Sequence, residues 1–140
     1  GGGAGGGPDG DGADAIHTHM TNTLNTPIEA LERHFPVQID AYGLRNNPGK
    51  KFKGHRGGKG IVRQYRFLAP SQVTIMSERR VHQPYGLNGA PAGQCGKNIL
   101  IKADGSQKTL QGKISLKVDA NDSIRIETPS GGCWQSKKQA

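Results

Sequence analysis

The chain has 140 residues, of which 22 are glycine, 32% hydrophobic and only 5% aromatic, and it carries a formal net charge of +8. That length suits one domain with a modest core, and no apolar run approaches the roughly 20 residues that span a bilayer. Two cysteines are too few for a disulfide framework and lack C-x-x-C spacing for zinc, so Cys95 and Cys133 are expected as free thiols in a reducing, cytoplasmic setting.

Residues 1–13 read as a flexible or tightly looped glycine segment, with no apolar stretch of a signal peptide. Starting inside a glycine run without methionine, the sequence reads as a piece of something longer. Next comes "DAIHTHMTNT", Asp14 to Thr23. Weak alternation puts Ile16, Thr18, Met20 and Asn22 on one side of an extended segment, and Ala15, His17, His19 and Thr21 on the other. "NTPIEALERHFP" predicts a helix near residues 27–35. Thr26 is its expected N-cap, Pro27 its first residue, and Glu29 the partner in a T-x-x-E capping box. Ile28, Leu31 and Phe35 make the expected buried stripe, and Pro36 ends the helix.

From there the period is two. "PVQIDAYGL" alternates Val37 and Ile39, and "NNPGKKFKGHRGGKG" is a basic glycine loop. "IVRQYRFL" and "QVTIM" read as hairpin arms around "APS". "KNILIKADGSQKTLQG" carries Asp104-Gly105, a type I′ hairpin signal. "KISLKV" and "SIRIE" flank a turn at Asn121-Asp122. The expected class is mainly β (α+β), a glycine-rich strand domain over residues 14–134 with one short helix, and residues 135–140 form a disordered tail.

Charge is uneven. Residues 1–44 hold one arginine against six acids, whereas residues 45–66 hold eight Lys/Arg and no acid. Such a block suits a solvated or subunit-facing loop, an anionic ligand, or nucleic acid. Only Phe52 and Tyr65 could stack bases there, which is thin for a single-strand platform. The alternative functional reading is therefore a non-catalytic β-rich interaction module that binds an anionic partner through residues 45–66.

Several constellations could carry chemistry. In a strand, His17 and His19 would share one face, as a metal site, a substrate contact or a structural pair all allow. Thr21, Asn22 and Thr23 supply short hydrogen-bonding groups, fit for a polar pocket wall or an Asx-turn. "GHRGGKG" lacks the spacing of a phosphate loop. In "SERR", Arg79 and Arg80 could hold a carboxylate bidentately, or pair with Glu78. No nucleophile elbow is present, and the residues alone describe a β domain lining a polar site.

In order and in register, "GGGAGGGPDGDGADAIHTHMTNTLNTPIEALERHFPV", "FKGHRGGKGIVRQYRFL", "SERRVHQPYGLNGAPAGQCGKNILI" and "IETPSGGCW" resemble the C-terminal region of the hydantoinase B/oxoprolinase family. The resemblance implies ATP-dependent opening of a cyclic amide, 5-oxoproline or a hydantoin. It implies ATP and Mg on an A-type partner subunit or domain, with the rest of the B-type subunit as a further partner. Nucleic acid and membrane are not expected partners. The family's metal positions lie in the N-terminal part of the B-type subunit, so no metal is assigned to His17 or His19. In this light His19 and Asn22 are the candidate catalytic residues, and His17, Thr21, Thr23, Arg79 and Arg80 the candidate substrate contacts. The departure "SGGCWQ", where the family has a glycine run, argues against a ligand contact at the tail. Alone, the chain is expected to be inactive and poorly stable.

Overall fold

The computed structural model describes residues 1–17, 22–46 and 53–136. Its helix, α1 (Ile28–His34), forms where proline and alternating apolar residues predict it. The N-cap, however, is Pro27 (φ −54, ψ 142), with no side-chain capping bond. Shifting the cap by one residue puts Ala30 at the third helical position, so the Thr26–Glu29 box does not close. Instead Glu32 accepts a hydrogen bond from the Ile39 amide at 2.8 Å, tying the helix to the strand that follows. Leu31 packs on the core, but Phe35 has extended backbone and is 58% exposed, so it leaves the predicted stripe.

Seven strands follow among the described residues: β1 (Val37–Leu44), β2 (Ile61–Phe67), β3 (Ser71–Met76), β4 (Lys97–Ile101), β5 (Gln107–Leu110), β6 (Lys113–Val118) and β7 (Ser123–Glu127). Five make an antiparallel sheet in the order β1-β2-β7-β4-β5, and β3 pairs with β6 in a second sheet. The mainly β expectation therefore holds. The core fills the space between the sheets, where Phe67, Leu100, Leu110 and Ile124 of the first meet Ile75 and Val118 of the second. Alternation along each strand delivers those side chains to one face.

Pairing departs from the sequence reading in one place. The β2 and β3 segments do not form a hairpin, because β2 already has β1 on one edge and β7 on the other. The chain after Phe67 crosses to the second sheet instead. Strands β6 and β7 flank the turn as expected, with Asn121 in the left-handed region (φ 67), and belong to different sheets. The β4–β5 hairpin is as expected, but only Gly105 of its turn has positive φ. With Gly105 N–H donating to Lys102 O and Lys102 N–H to Ser106 O, this is a type I turn with a glycine bulge, not type I′.

Residues 14–17 make no strand beyond an isolated bridge between Ile16 and Gly2, and residues 22–27 are irregular. Thr18 to Thr21 lie outside the described residues, as do residues 47–52 of the basic loop and 137–140 of the tail. The opening glycine segment is stitched into the body. Gly3 N–H donates to Pro129 O, Ala4 N–H to Ala13 O, Gly6 N–H to Gly132 O, and Gly58 N–H to Ala4 O. Three glycine stretches thus lie backbone against backbone, where side chains would keep them apart.

Candidate functional site

A cleft of about 780 Å³ opens between the two sheets. Its floor is the apolar face of the large sheet, with Tyr65, Phe67, Ile124 and Ile126, and Val73, Ile75 and Met76 of β3 form one side. Polar groups converge at its rim: His17 from the segment after the glycine run, and Ser77 to Arg80 from the turn after β3. An apolar cavity with a few convergent polar groups is the usual form of a small-molecule site. His17 and the "SERR" motif, sixty residues apart, are therefore brought to one cleft.

Each rim residue is held by its neighbours. The bridge between Gly2 and Ile16 sets His17, whose Nε2 lies 2.7 Å from the Gly1 nitrogen. Ser77 is fixed to Gly112, its amide and hydroxyl both donating to that carbonyl at 2.8 Å. Arg79 has φ 57, the left-handed region that costs a non-glycine residue energy and recurs at functional sites. This bend turns Arg80 back toward β4, and the Arg79 carbonyl accepts from Gly96 N–H at 2.9 Å. Arg80 Nε then donates to Asn98 Oδ1 at 3.1 Å and Nη1 to Glu78 O at 2.6 Å.

The alternative Glu–Arg pair is absent, because the Glu78 carboxylate binds Lys113 Nζ at 3.0 Å. Arg79 reaches, among the described residues, only the Gln83 carbonyl, at 3.4 Å. Among the described residues neither Arg79 nor Arg80 has a carboxylate at ion-pair distance, and both line the cleft. Burial, and after it the charge of Arg45, lowers the Arg80 pKa without discharging a guanidinium. Burial likewise raises that of the Tyr65 phenol on the floor.

Of the remaining candidates, Asn22 and Thr23 are exposed and do not line the cleft. His19 and Thr21 lie outside the described residues. No group of three metal-ligating side chains occurs among the described residues. The sequence reading missed Asn98, fully buried on the inward face of β4 two residues before Leu100. An asparagine at a core beat of a period-two strand was the available signal.

The four arginines of the basic stretch are accounted for internally, whereas Lys50 and Lys51 lie outside the described residues. Arg45 pairs with Glu127 at 3.2 Å, Arg56 with Asp11 at 3.0 Å and Arg66 with Asp40 at 3.1 Å. Arg63 lies between the rings of Tyr42 and Tyr65, 5.1 and 5.2 Å from their centroids. Gly57 and Gly58 are buried against Gly131 and Ala13, and strand β2 follows them rather than a helix. The segment is a packing element and forms no phosphate cradle.

These features define a glycine-stitched, two-sheet β domain with a cationic cleft. The sequence profile of the hydantoinase B/oxoprolinase family matches residues 1–137, and the chain belongs to that family. It is 45% identical over 136 residues to 5-oxoprolinase 1 of Arabidopsis thaliana, covering 97% of this chain and 11% of the relative. Identity to 5-oxoprolinase of Dictyostelium discoideum is 39%, with the same 97% and 11% coverage. The B-type subunit of a putative D-/L-hydantoinase from a Pseudomonas species is 31% identical over 87% of this chain and 21% of its own length. The chain thus spans about a tenth of the oxoprolinases it matches. The crystal structure of an ATP-dependent caprolactamase from Pseudomonas jessenii shares the fold, with a TM-score of 0.74 and 21% identity. That likeness covers 97% of this chain and 24% of the caprolactamase chain. No helix among the described residues is long and apolar enough to cross a membrane.

Proposed function

We propose that this chain is the C-terminal part of a B-type subunit or domain of an ATP-dependent cyclic-amide hydrolase, and that its cleft holds the substrate. The observation that carries the reading is the meeting of His17 with Arg79 and Arg80 on one apolar cavity, in a chain of the hydantoinase B/oxoprolinase family. Two guanidiniums without acid partners among the described residues favour a ring bearing a carboxylate, such as 5-oxoproline, over an uncharged hydantoin. The apolar floor receives the ring carbons. ATP and Mg act from an A-type part outside this chain, where the amide is activated.

His17 leads into His19, which in this proposal exchanges the proton that ring opening requires. An imidazole with an ordinary pKa of about 6.5 does so near neutrality. Asn22 and Thr23 stand outside the cleft and take no part in this step. The test is an assay of the assembled A-type and B-type parts with ATP, on 5-oxoproline and on hydantoin. His19→Asn lowers turnover about a hundredfold with the complex intact, and Arg79→Ala raises KM for the carboxylate-bearing ring. Turnover of neither substrate by the wild-type assembly refutes the function. Unchanged kinetics in both variants refutes this site.

A further inference from the structure

Resting on the cleft reading above, we infer that Asn98 is a positioning residue that aims the Arg80 guanidinium at the anionic group of the substrate. Asn98 occupies a core beat of β4, opposite Leu110 on one side and Ile126 on the other, and is 0% exposed. An aliphatic side chain would serve folding at such a position, since a buried amide must find a partner for every polar atom.

Asn98 finds them all. Its Oδ1 accepts from Arg80 Nε at 3.1 Å, while its Nδ2 donates to Ser77 Oγ at 2.9 Å and to Gln111 O at 3.2 Å. The two donor bonds fix the amide plane and so force the oxygen toward Arg80. Ser77 is itself locked to Gly112, so the bracket is anchored where β3 and β6 pair. The Glu78 carbonyl holds the other side of the guanidinium. Gly96 leaves room for it, because a Cβ there would sit 2.5 Å from Arg80 Nη1. The bracket uses neutral oxygens throughout. An acid at position 98 would quench the charge that an anionic substrate needs, whereas an amide orients the fork and leaves its charge available.

The experiment is a double-mutant cycle on the assembled enzyme with ATP and 5-oxoproline, using Asn98→Ala, Arg80→Ala and the pair. Asn98→Ala is expected to raise KM about tenfold with kcat within about twofold, and to add nothing once Arg80 is alanine. A multiplicative effect in the Arg80→Ala background overturns the inference while leaving the cleft reading standing. Arg80→Ala with wild-type kinetics overturns both. Should Asn98→Ala fail to assemble, Ser77→Ala takes its place. It loosens the bracket from outside the core, and a KM rise of about threefold that vanishes with Arg80→Ala is expected. Its persistence there counts against Asn98. Asn98→Asp is expected to raise KM for 5-oxoproline more than for hydantoin, and an equal effect on both rings would also count against it.

Discussion

Gly3 and Gly58 touch through their backbones: a Cβ on Gly3 would collide with the carbonyl oxygen and carbon of Gly58, and nearly meet the Gly131 amide at 2.9 Å. Neither neighbour is a flexible side-chain tip that could swing away. The contact pins the opening glycine segment to the centre of the domain, and through the bridge between Gly2 and Ile16 it sets the approach of His17 to the cleft.

Gly3→Ala is therefore expected to destabilise the protein by about 3 kcal/mol or more, the upper range for overpacking against fixed atoms. Gly7→Ala, where a Cβ meets nothing within 4 Å, is the matched control and should be nearly silent. Thermal unfolding of the two variants beside wild type decides it, and equal melting temperatures would contradict the packing argument.

Two buried arginines should respond very differently to methionine. Arg45 is 8% exposed and binds Glu127, the Cys95 carbonyl and the Thr128 carbonyl. Arg45→Met leaves Glu127 half-buried beside Arg125 alone and should cost about 3 kcal/mol. Arg63 is equally buried, but it has no acid partner among the described residues, and its Nε makes no hydrogen bond. Its compensation is the pair of tyrosine rings, about 1–2 kcal/mol each, and a hydrogen bond from Nη2 to the Thr26 carbonyl at 3.4 Å, against a desolvation cost of several. Arg63→Met should fall within about 1 kcal/mol of wild type. Denaturant melts of both variants test the contrast, which fails if Arg63→Met is the more damaging.

Acid should loosen the turn between β6 and β7. The Asp122 carboxylate is 2% exposed, and burial by itself pushes its pKa up. The Lys102 ammonium at 2.7 Å, with the amides of Asp119 and Ala103, outweighs burial and holds it below the ordinary carboxylate value. A depressed folded-state pKa gives stability that is complete above the unfolded value near 3.9 and disappears as pH falls through the folded one. Asp122→Asn should remove part of that acid dependence and cost about 1–3 kcal/mol at neutral pH through its unmatched amides. Melting temperature against pH for both proteins is the measurement. Parallel curves would show that Asp122 is not the titrating group.

Both thiols are free in the structure, with Cys95 Sγ 3.5 Å from the Val81 carbonyl. Denatured, unreduced protein is expected to react with two equivalents of a thiol reagent. A lower count would reveal a bridge or a modification.

The sequence by itself determined the local elements. Proline at position 27 with an apolar stripe made a helix, period-two runs made strands, and Asp104-Gly105 and Asn121-Asp122 made turns. Each is decided by residues a few positions apart, through backbone sterics and side-chain direction. The family motifs also stood in the sequence, and with them the list of candidate residues, of which His17, Arg79 and Arg80 line the cleft. Tertiary structure alone decided pairing, since β2 prefers the distant β7 to its neighbour β3, and a strand's edges look alike from its own sequence. It alone decided which motifs meet: His17 and Arg80 share a cleft only because glycine stretches at both ends of the chain pack without side chains between them. And it decided charge. The arginines of residues 45–66 looked like one basic surface, yet Arg45, Arg56 and Arg66 pair with acids from elsewhere in the chain, whereas Arg79 and Arg80, with Glu78 beside them, keep their charge for the cleft because that glutamate turns to Lys113.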